Sequence, residues 1–138
     1  MRISTKQSWI LLILTLFMLP SCSPSDKAVY NNFGVSLLME SLVVYQEVRD
    51  TPLLGDGYRF VQYDVSPKCM ERIKEDGTIL SEKGFVRIDE PVSVQDCAPL
   101  NIDYTVSEGI MKHGIDSGEY LFVDYNKLLI SYLALFGR

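Results

Sequence analysis

The sequence predicts a small α+β domain, in which an antiparallel sheet of four to five strands packs against one or two helices. Three observations lead to this prediction. Several short segments are rich in β-branched and aromatic residues and alternate apolar with polar side chains, which is typical of half-buried strands. Turn residues separate these segments, and one stretch carries a helix start signal. The 138 residues are 47% hydrophobic and 22% charged, which suits one globular domain.

The first two strands are predicted to form a hairpin. Residues 41–49, SLVVYQEVR, suit a strand with Leu42, Val44 and Val48 on one face. Residues 58–65, YRFVQYDV, alternate well enough to form a second strand. The stretch between them contains proline and glycine, which favours a turn. A helix over residues 41–49 stays open as an alternative.

A helix is predicted after this hairpin. Ser66 suits the N-cap position, because its side chain can accept a backbone hydrogen bond, and Pro67 suits the first helical position. Gly77 is predicted to end the helix, since glycine is favoured just past helix C-termini. The predicted core-facing stripe consists of Cys69, Met70 and Ile73.

Three segments have weaker patterns. Residues 29–39 suit either a short helix or an extended lead-in to the first strand. Residues 84–94, GFVRIDEPVSV, are predicted as a short strand interrupted at Pro91, because proline cannot donate a ladder hydrogen bond. Residues 101–114 are ambiguous, and a helix around VSEGIMKH is one option.

The C-terminal residues are predicted to form a second hairpin. Residues 119–125 and 128–136 suit two strands joined by a tight turn at Asn126, because asparagine tolerates the left-handed backbone that such turns require. The second segment, LLISYLALF, is apolar apart from Ser131, which fits a central strand buried on both faces. A C-terminal helix ending at Gly137 is the alternative.

The N-terminal segment has the features of a signal peptide for export. Arg2 and Lys6 precede residues 9–20, WILLILTLFMLP, which carry no charge. As a helix this run would extend about 18 Å, whereas crossing a bilayer takes about 20 residues. A basic start followed by a short apolar run is typical of secretory signals. A conventional cut after Ser23 would place the rigid ring of Pro24 directly behind the cleaved bond, which disfavours that site.

The residues that end at Cys22 resemble the lipobox of bacterial lipoproteins. Leu19, Pro20, Ser21 and Cys22 provide an aliphatic residue, a variable one, a small one and the cysteine, with proline replacing the usual small residue. The resemblance implies that the Cys22 thiol receives a diacylglyceryl group, that the chain is cut before Cys22, and that the new amino group is acylated. Two or three acyl chains anchor a protein stably, whereas one does not.

The resemblance also predicts the organisation and location of the protein. Residues 1–21 are a removed lipoprotein signal peptide, residues 22–28 are the lipidated cysteine with a short polar tether, and residues 29–138 are a single globular domain. The protein is then held in the bacterial cell envelope by its lipid anchor. Ser23 replaces the aspartate that retains such proteins at the inner membrane, so an outer-membrane location facing the periplasm is expected.

The other two cysteines, Cys69 and Cys97, are predicted to form a disulfide. An even pair in an exported chain favours this interpretation, because the compartment is oxidising. In the chain-entropy model the bond would stabilise the fold by about 3.5 kcal/mol. Two free thiols are the alternative. A metal site is disfavoured, because these cysteines and the single His113 fall short of the usual four zinc ligands.

Charge excludes one class of partner. All 18 acidic residues follow Cys22, as do 11 of the 13 basic residues, so the part after the signal peptide has a net side-chain charge of −7. An acidic domain repels phosphate backbones, so nucleic acid is not an expected partner. Attachment to a membrane must therefore come from the anchor and not from a basic surface.

No catalytic motif emerges from the sequence. His113 lies between lysine and glycine, a context more typical of a solvated loop than of a general base. Asp56 and Gly57 are predicted to make a turn, with binding of a cation or substrate as the less favoured reading. Tyrosines are frequent on the predicted strands and suit either sheet surfaces or a binding face. They are Tyr45, Tyr58, Tyr63, Tyr120, Tyr125 and Tyr132.

These features predict a non-enzymatic lipoprotein that binds another envelope protein, as an inhibitor, an immunity or exclusion protein, or an assembly accessory. No metal or cofactor is expected. The alternative is a carrier or sensor of a small ligand, which needs a pocket between helix and sheet. A third hypothesis is an envelope hydrolase that uses His113 or a pair of carboxylates.

Overall fold

The computed structural model describes residues 23–51, 56–114 and 118–136. In this part of the chain four helices and eight strands follow one another, with one 3-10 turn at Val94–Asp96. The helices are α1 (Pro24–Phe33), α2 (Val35–Glu40), α3 (Pro67–Glu75) and α4 (Gly77–Glu82). The strands are β1 (Leu42–Thr51), β2 (Asp56–Asp64), β3 (Val86–Ile88), β4 (Val92–Ser93), β5 (Thr105–Val106), β6 (Gly109–His113), β7 (Glu119–Asp124) and β8 (Leu129–Phe136).

The main sheet has six strands in the order β1-β2-β8-β7-β6-β3, and β4 pairs with β5 in a separate ribbon. Every neighbouring pair is antiparallel. The predicted α+β class is confirmed, but the sheet is larger than the expected four to five strands, and the described helices outnumber the expected one or two. The difference arises partly in residues 101–114, where β5 and β6 form in place of a helix.

The sheet separates two hydrophobic cores. The helix-side core lies between one face and helices α1 to α4 and includes Val61, Tyr132 and Val123. The loop-side core lies on the other face beneath the segment from β3 to β5 and includes Phe60 and Leu133. Because β8 contributes alternate residues to both cores, it is the central strand that its apolar sequence predicts.

Helix α3 begins as the sequence predicts. The Ser66 side chain accepts a hydrogen bond from the backbone N–H of Cys69 at 3.2 Å, and the predicted stripe is buried. The helix ends earlier than predicted, however, because Asp76 occupies the cap position and Gly77 begins α4 instead.

The segment predicted as a tether after Cys22 is instead the start of α1. Ser23 is its N-cap and accepts a hydrogen bond from the N–H of Asp26 at 3.2 Å. Ser25 and Val29 are buried against the domain. The Tyr63 hydroxyl donates to Asp26 Oδ1 at 2.5 Å and lies 2.9 Å from the Ser25 hydroxyl. Residues 24–28 are therefore helical and pack against the rest of the described domain.

The turn between β7 and β8 lies at the predicted place but forms differently. Asp124 is buried, and its Oδ1 accepts hydrogen bonds from the backbone N–H groups of Asn126 at 3.1 Å and Lys127 at 3.0 Å. The left-handed residue is Leu128, with φ of 55°, and not the predicted asparagine. The buried carboxylate thus holds the turn through its side chain.

Candidate functional site

Strand β1 is a long edge strand of the main sheet. It pairs with β2 on one side, and its other side has no partner strand among the described residues. It spans ten residues, whereas β3 at the opposite edge spans three. A long unpaired edge offers a row of backbone donors and acceptors to another extended chain. The β1 edge is therefore the strongest candidate in the structure for contact with a partner.

The side chains along β1 are apolar and exposed. Leu42 is 68% exposed and Val48 is 53% exposed, and Val43 and Val44 are also exposed. The register of β1 against β2 shifts between Val43 and Tyr45, so the alternation breaks at this point. The prediction that Leu42, Val44 and Val48 share one face is wrong, because Leu42 pairs with Asp64 and Val48 with Arg59, which lie on different faces of the sheet. All three side chains are nevertheless exposed.

The face of β1 opposite Val48 carries a buried carboxylate. Glu47 is 9% exposed, and its Oε1 accepts a hydrogen bond from the Tyr45 hydroxyl at 2.6 Å. Its Oε2 accepts a short hydrogen bond from the Tyr58 hydroxyl. The backbone N–H of Asn101 lies 3.1 Å from Oε1 and 3.2 Å from Oε2. The sequence does not reveal this cluster, because Asn101 lies 54 positions after Glu47 in the chain.

These hydrogen bonds set the charge state of Glu47. Burial alone raises the pKa of its carboxyl, but donation from Tyr45, Tyr58 and Asn101 outweighs burial and lowers the pKa below its usual value of 4.5. The reverse effect acts on the phenol, since burial and the bond to Glu47 raise the pKa of Tyr58 to about 12. Glu47 is therefore an ionised anchor that fixes β1 to the loop at Asn101.

The predicted disulfide between Cys69 and Cys97 is absent, and both residues are free thiols. They cannot pair because they lie on opposite faces of the sheet. Cys69 lies in the helix-side core and its Sγ is 2.7 Å from Glu40 Oε2. Cys97 packs against the loop-side core, where burial and then the charge of Asp96 raise the pKa of its thiol. The predicted lipid attachment site, Cys22, lies outside the described residues.

The other residues considered for catalysis or binding do not converge on one site. His113 is exposed at the end of β6, and its ring stacks on Tyr120 with centroids 4.2 Å apart. Gly57, predicted to make a turn with Asp56, lies in β2 opposite Asp50 instead. Of the six tyrosines considered for a binding face, Tyr58, Tyr63 and Tyr132 are buried and the others half-buried.

Across residues 23–51, 56–114 and 118–136, no helix has the length and apolar character needed to cross a bilayer. The same residues bring together no group of three or more histidine, cysteine or acidic side chains suited to hold a metal ion. Comparisons of the chain with protein-family models, with curated proteins and with solved structures found no match.

Proposed function

We propose that this chain is a lipid-anchored cell-envelope protein without enzymatic activity, which binds an extended segment of another envelope protein along β1. The observation that carries the proposal is the long, apolar edge of that strand, to which no other described strand is paired. Addition of a strand to a sheet edge is a recurring mode of peptide recognition, in which backbone hydrogen bonds give affinity and side-chain contacts give specificity.

The Glu47 cluster supports this proposal because it makes the edge rigid before binding. Glu47 and Tyr45 lie on β1 itself, and Asn101 ties the strand to a neighbouring loop. A strand that is already ordered loses little conformational freedom when a partner pairs with it, so more of the contact energy contributes to affinity.

Charge and side-chain pattern define the partner segment. With its net charge of −7 after the signal peptide, the chain favours a segment flanked by lysine or arginine. A run of alternating β-branched side chains would pack against Val43 and Val48 while its backbone pairs with β1. The ten residues of β1 allow contact along about 33 Å.

The lipid anchor at Cys22 is the second part of the proposal. Only Ser23 stands between Cys22 and the first residue of α1, so an anchored domain would be held close to the membrane surface. Replacement of Cys22 by alanine should abolish acylation and move the protein out of the membrane fraction. Metabolic labelling with a fatty acid tests this directly, and label retained by Cys22→Ala would contradict the anchor.

Crosslinking from the two edges of the sheet tests the binding proposal. A photoreactive amino acid at Val48 should give one discrete adduct with a second envelope protein in native membranes. The same probe at Val86 is the matched control, because Val86 is a 59% exposed valine on the opposite edge strand. Equal adducts from both positions would show that exposure alone explains capture and would refute binding at β1.

A charge substitution on the same pair of residues measures the contribution of the edge. Val48→Lys should weaken binding of the identified partner by at least about tenfold, since a charged residue on an edge strand opposes strand addition. Val86→Lys should leave the dissociation constant unchanged. If both variants bind as the unchanged protein does, the partner contacts another surface.

A further inference from the structure

A second surface feature lies on the helix-covered face, distinct from the β1 edge. A cleft of about 610 Å³ opens between α1, the residue that follows α4 and the strands β6 to β8. Three of its lining residues are lysines, Lys27, Lys83 and Lys112, in a chain whose remaining charge is strongly acidic. The cleft lies between helices and sheet, where the ligand-sensor hypothesis places a pocket.

The lysines of this cleft are not neutralised by carboxylates. None of the three has an acidic partner within 4.0 Å in the described part of the chain, whereas Arg72, for example, pairs with an acid. The Nζ of Lys83 instead donates to the Asn32 carbonyl oxygen at 3.0 Å. The Nζ of Lys112 donates to Asn32 Oδ1 at 3.0 Å. Neutral acceptors orient these two ammonium groups without cancelling their charge.

Tyr132 adds a hydrogen-bonding group that lacks a partner. It is 1% exposed on the central strand β8 and it lines the cleft. Its hydroxyl meets no acceptor at full hydrogen-bonding geometry among the described residues, and the Glu119 carboxylate is the acidic group that lies near it. Burial raises the pKa of Tyr132 to about 12, and the charge and the acceptor oxygens of the nearby Glu119 carboxylate act in the same direction, so the phenol keeps its proton at neutral pH. Buried hydroxyls are rarely left without a hydrogen-bond partner, and one that is lowers the stability of the folded protein.

We propose that this cleft binds a phosphate group, which accepts hydrogen bonds from Lys27, Lys112 and the Tyr132 hydroxyl. Three lysines against the single lining carboxylate of Glu119 give the cleft lining a net positive charge, which suits an anionic phosphate group. Lysine is a common phosphate ligand, and a phosphate offers more acceptor oxygens than a carboxylate for several donors. The group is either a small phosphorylated solute or the headgroup of a phospholipid.

Glu119 predicts the direction of a change in phosphate affinity, which a purely structural role of the cleft residues would not predict. Its carboxylate lines the cleft beside Tyr132 and repels an anion, so Glu119→Gln should tighten phosphate binding. Tyr132→Phe should weaken phosphate binding yet leave the phosphate-free protein equally or more stable, because it removes an unpaired buried hydroxyl. The site does not depend on binding at β1.

The two sources of phosphate are separated with the full chain in membranes of defined composition. Inorganic phosphate is titrated with the protein in phosphatidylcholine vesicles, with and without phosphatidylglycerol, and in a neutral detergent free of phosphate. If a lipid headgroup occupies the cleft, vesicles raise the apparent Kd for inorganic phosphate relative to detergent. Equal Kd values in all three media assign the cleft to a soluble phosphorylated ligand.

Phosphorus NMR in the detergent, with thermal unfolding in parallel, tests the site itself. Lys27→Gln and Lys112→Gln should each raise the Kd for phosphate about tenfold, equivalent to about 1.4 kcal/mol. Lys68→Gln is the matched control, because Lys68 is an exposed lysine on α3, outside the cleft. No saturable phosphate binding, an equal loss from Lys68→Gln, or destabilisation of the phosphate-free protein by Tyr132→Phe would each overturn the proposal.

Discussion

Replacement of Glu47 by leucine should destabilise the protein by about 2–3 kcal/mol, because buried donors lose a charged acceptor. Tyr58 and the backbone N–H of Asn101 both donate to this carboxylate. The Tyr58 hydroxyl retains an alternative acceptor, the Pro99 carbonyl oxygen at 3.0 Å, so the loss stays below that of two fully orphaned donors. The substitution would weaken the attachment of β1 to the loop at Asn101.

Glu47→Gln should have a smaller effect, about 1 kcal/mol, because the new amide can donate to Tyr58 while Tyr58 donates to Pro99. The control Glu71→Gln alters an exposed ion pair with Lys74 and should change stability by less than about 0.5 kcal/mol. Urea unfolding should be followed by far-UV circular dichroism, because the only tryptophan, Trp9, precedes Cys22.

The pH dependence of this difference has a definite sign. The folded state lowers the pKa of Glu47, so its contribution is complete above the unfolded value of 4.5 and is lost as pH falls through the folded value. The stability difference between the unchanged protein and Glu47→Gln should therefore shrink below about pH 4.5. A difference that is independent of pH, or a Glu47→Leu variant as stable as Glu47→Gln, would refute the carboxylate anchor.

Three further predictions concern the fold. Gly109→Ala should prevent stable folding, because φ of Gly109 is +155° and an added Cβ would lie 1.8 Å from a carbonyl oxygen of β7. Gly77→Ala meets open space at the added Cβ, so it should raise the melting temperature. Tyr63→Phe removes the hydroxyl bond that ties α1 to the sheet and should lower unfolding free energy by about 1–2 kcal/mol, measured by urea titration. Cys97 should react with a thiol reagent faster than Cys69, because Cys69 is only 3% exposed; equal rates by mass spectrometry would contradict this burial.

The sequence identifies the elements whose local signals agree with their packing. The apolar run in β8 predicts a strand buried on both faces, and the two cores of the sheet provide that environment. Ser66 and Pro67 predict the start of α3 because capping depends on neighbouring residues in the chain. Such features are predictable because their causes lie within a few residues of one another.

Features set by distant contacts are not predictable in this way. The pattern of β1 predicts one apolar face, but the register shift near Val44 places Leu42 and Val48 on different faces, where both side chains are exposed. The Glu47 cluster joins residues 54 positions apart in the chain. The polar segment after Cys22 resembles a tether by composition, yet burial of Ser25 and the hydrogen bond from Tyr63 to Asp26 make it part of the domain.

The position of α1 directly after Cys22 bears on which kind of phosphate group the cleft would bind. Pro24 and Lys27 line the cleft, and both lie in the first turn of α1, directly after the proposed anchor at Cys22. A residue of extended chain spans at most about 3.6 Å, so the acyl chains would bring the cleft close to the headgroup layer. The acidic charge elsewhere on the domain is screened over a Debye length of about 8 Å at physiological salt, so the local lysines dominate at contact. Anchor and cleft together therefore favour a headgroup phosphate over a soluble one, which predicts that transfer from detergent to vesicles raises the apparent Kd for inorganic phosphate.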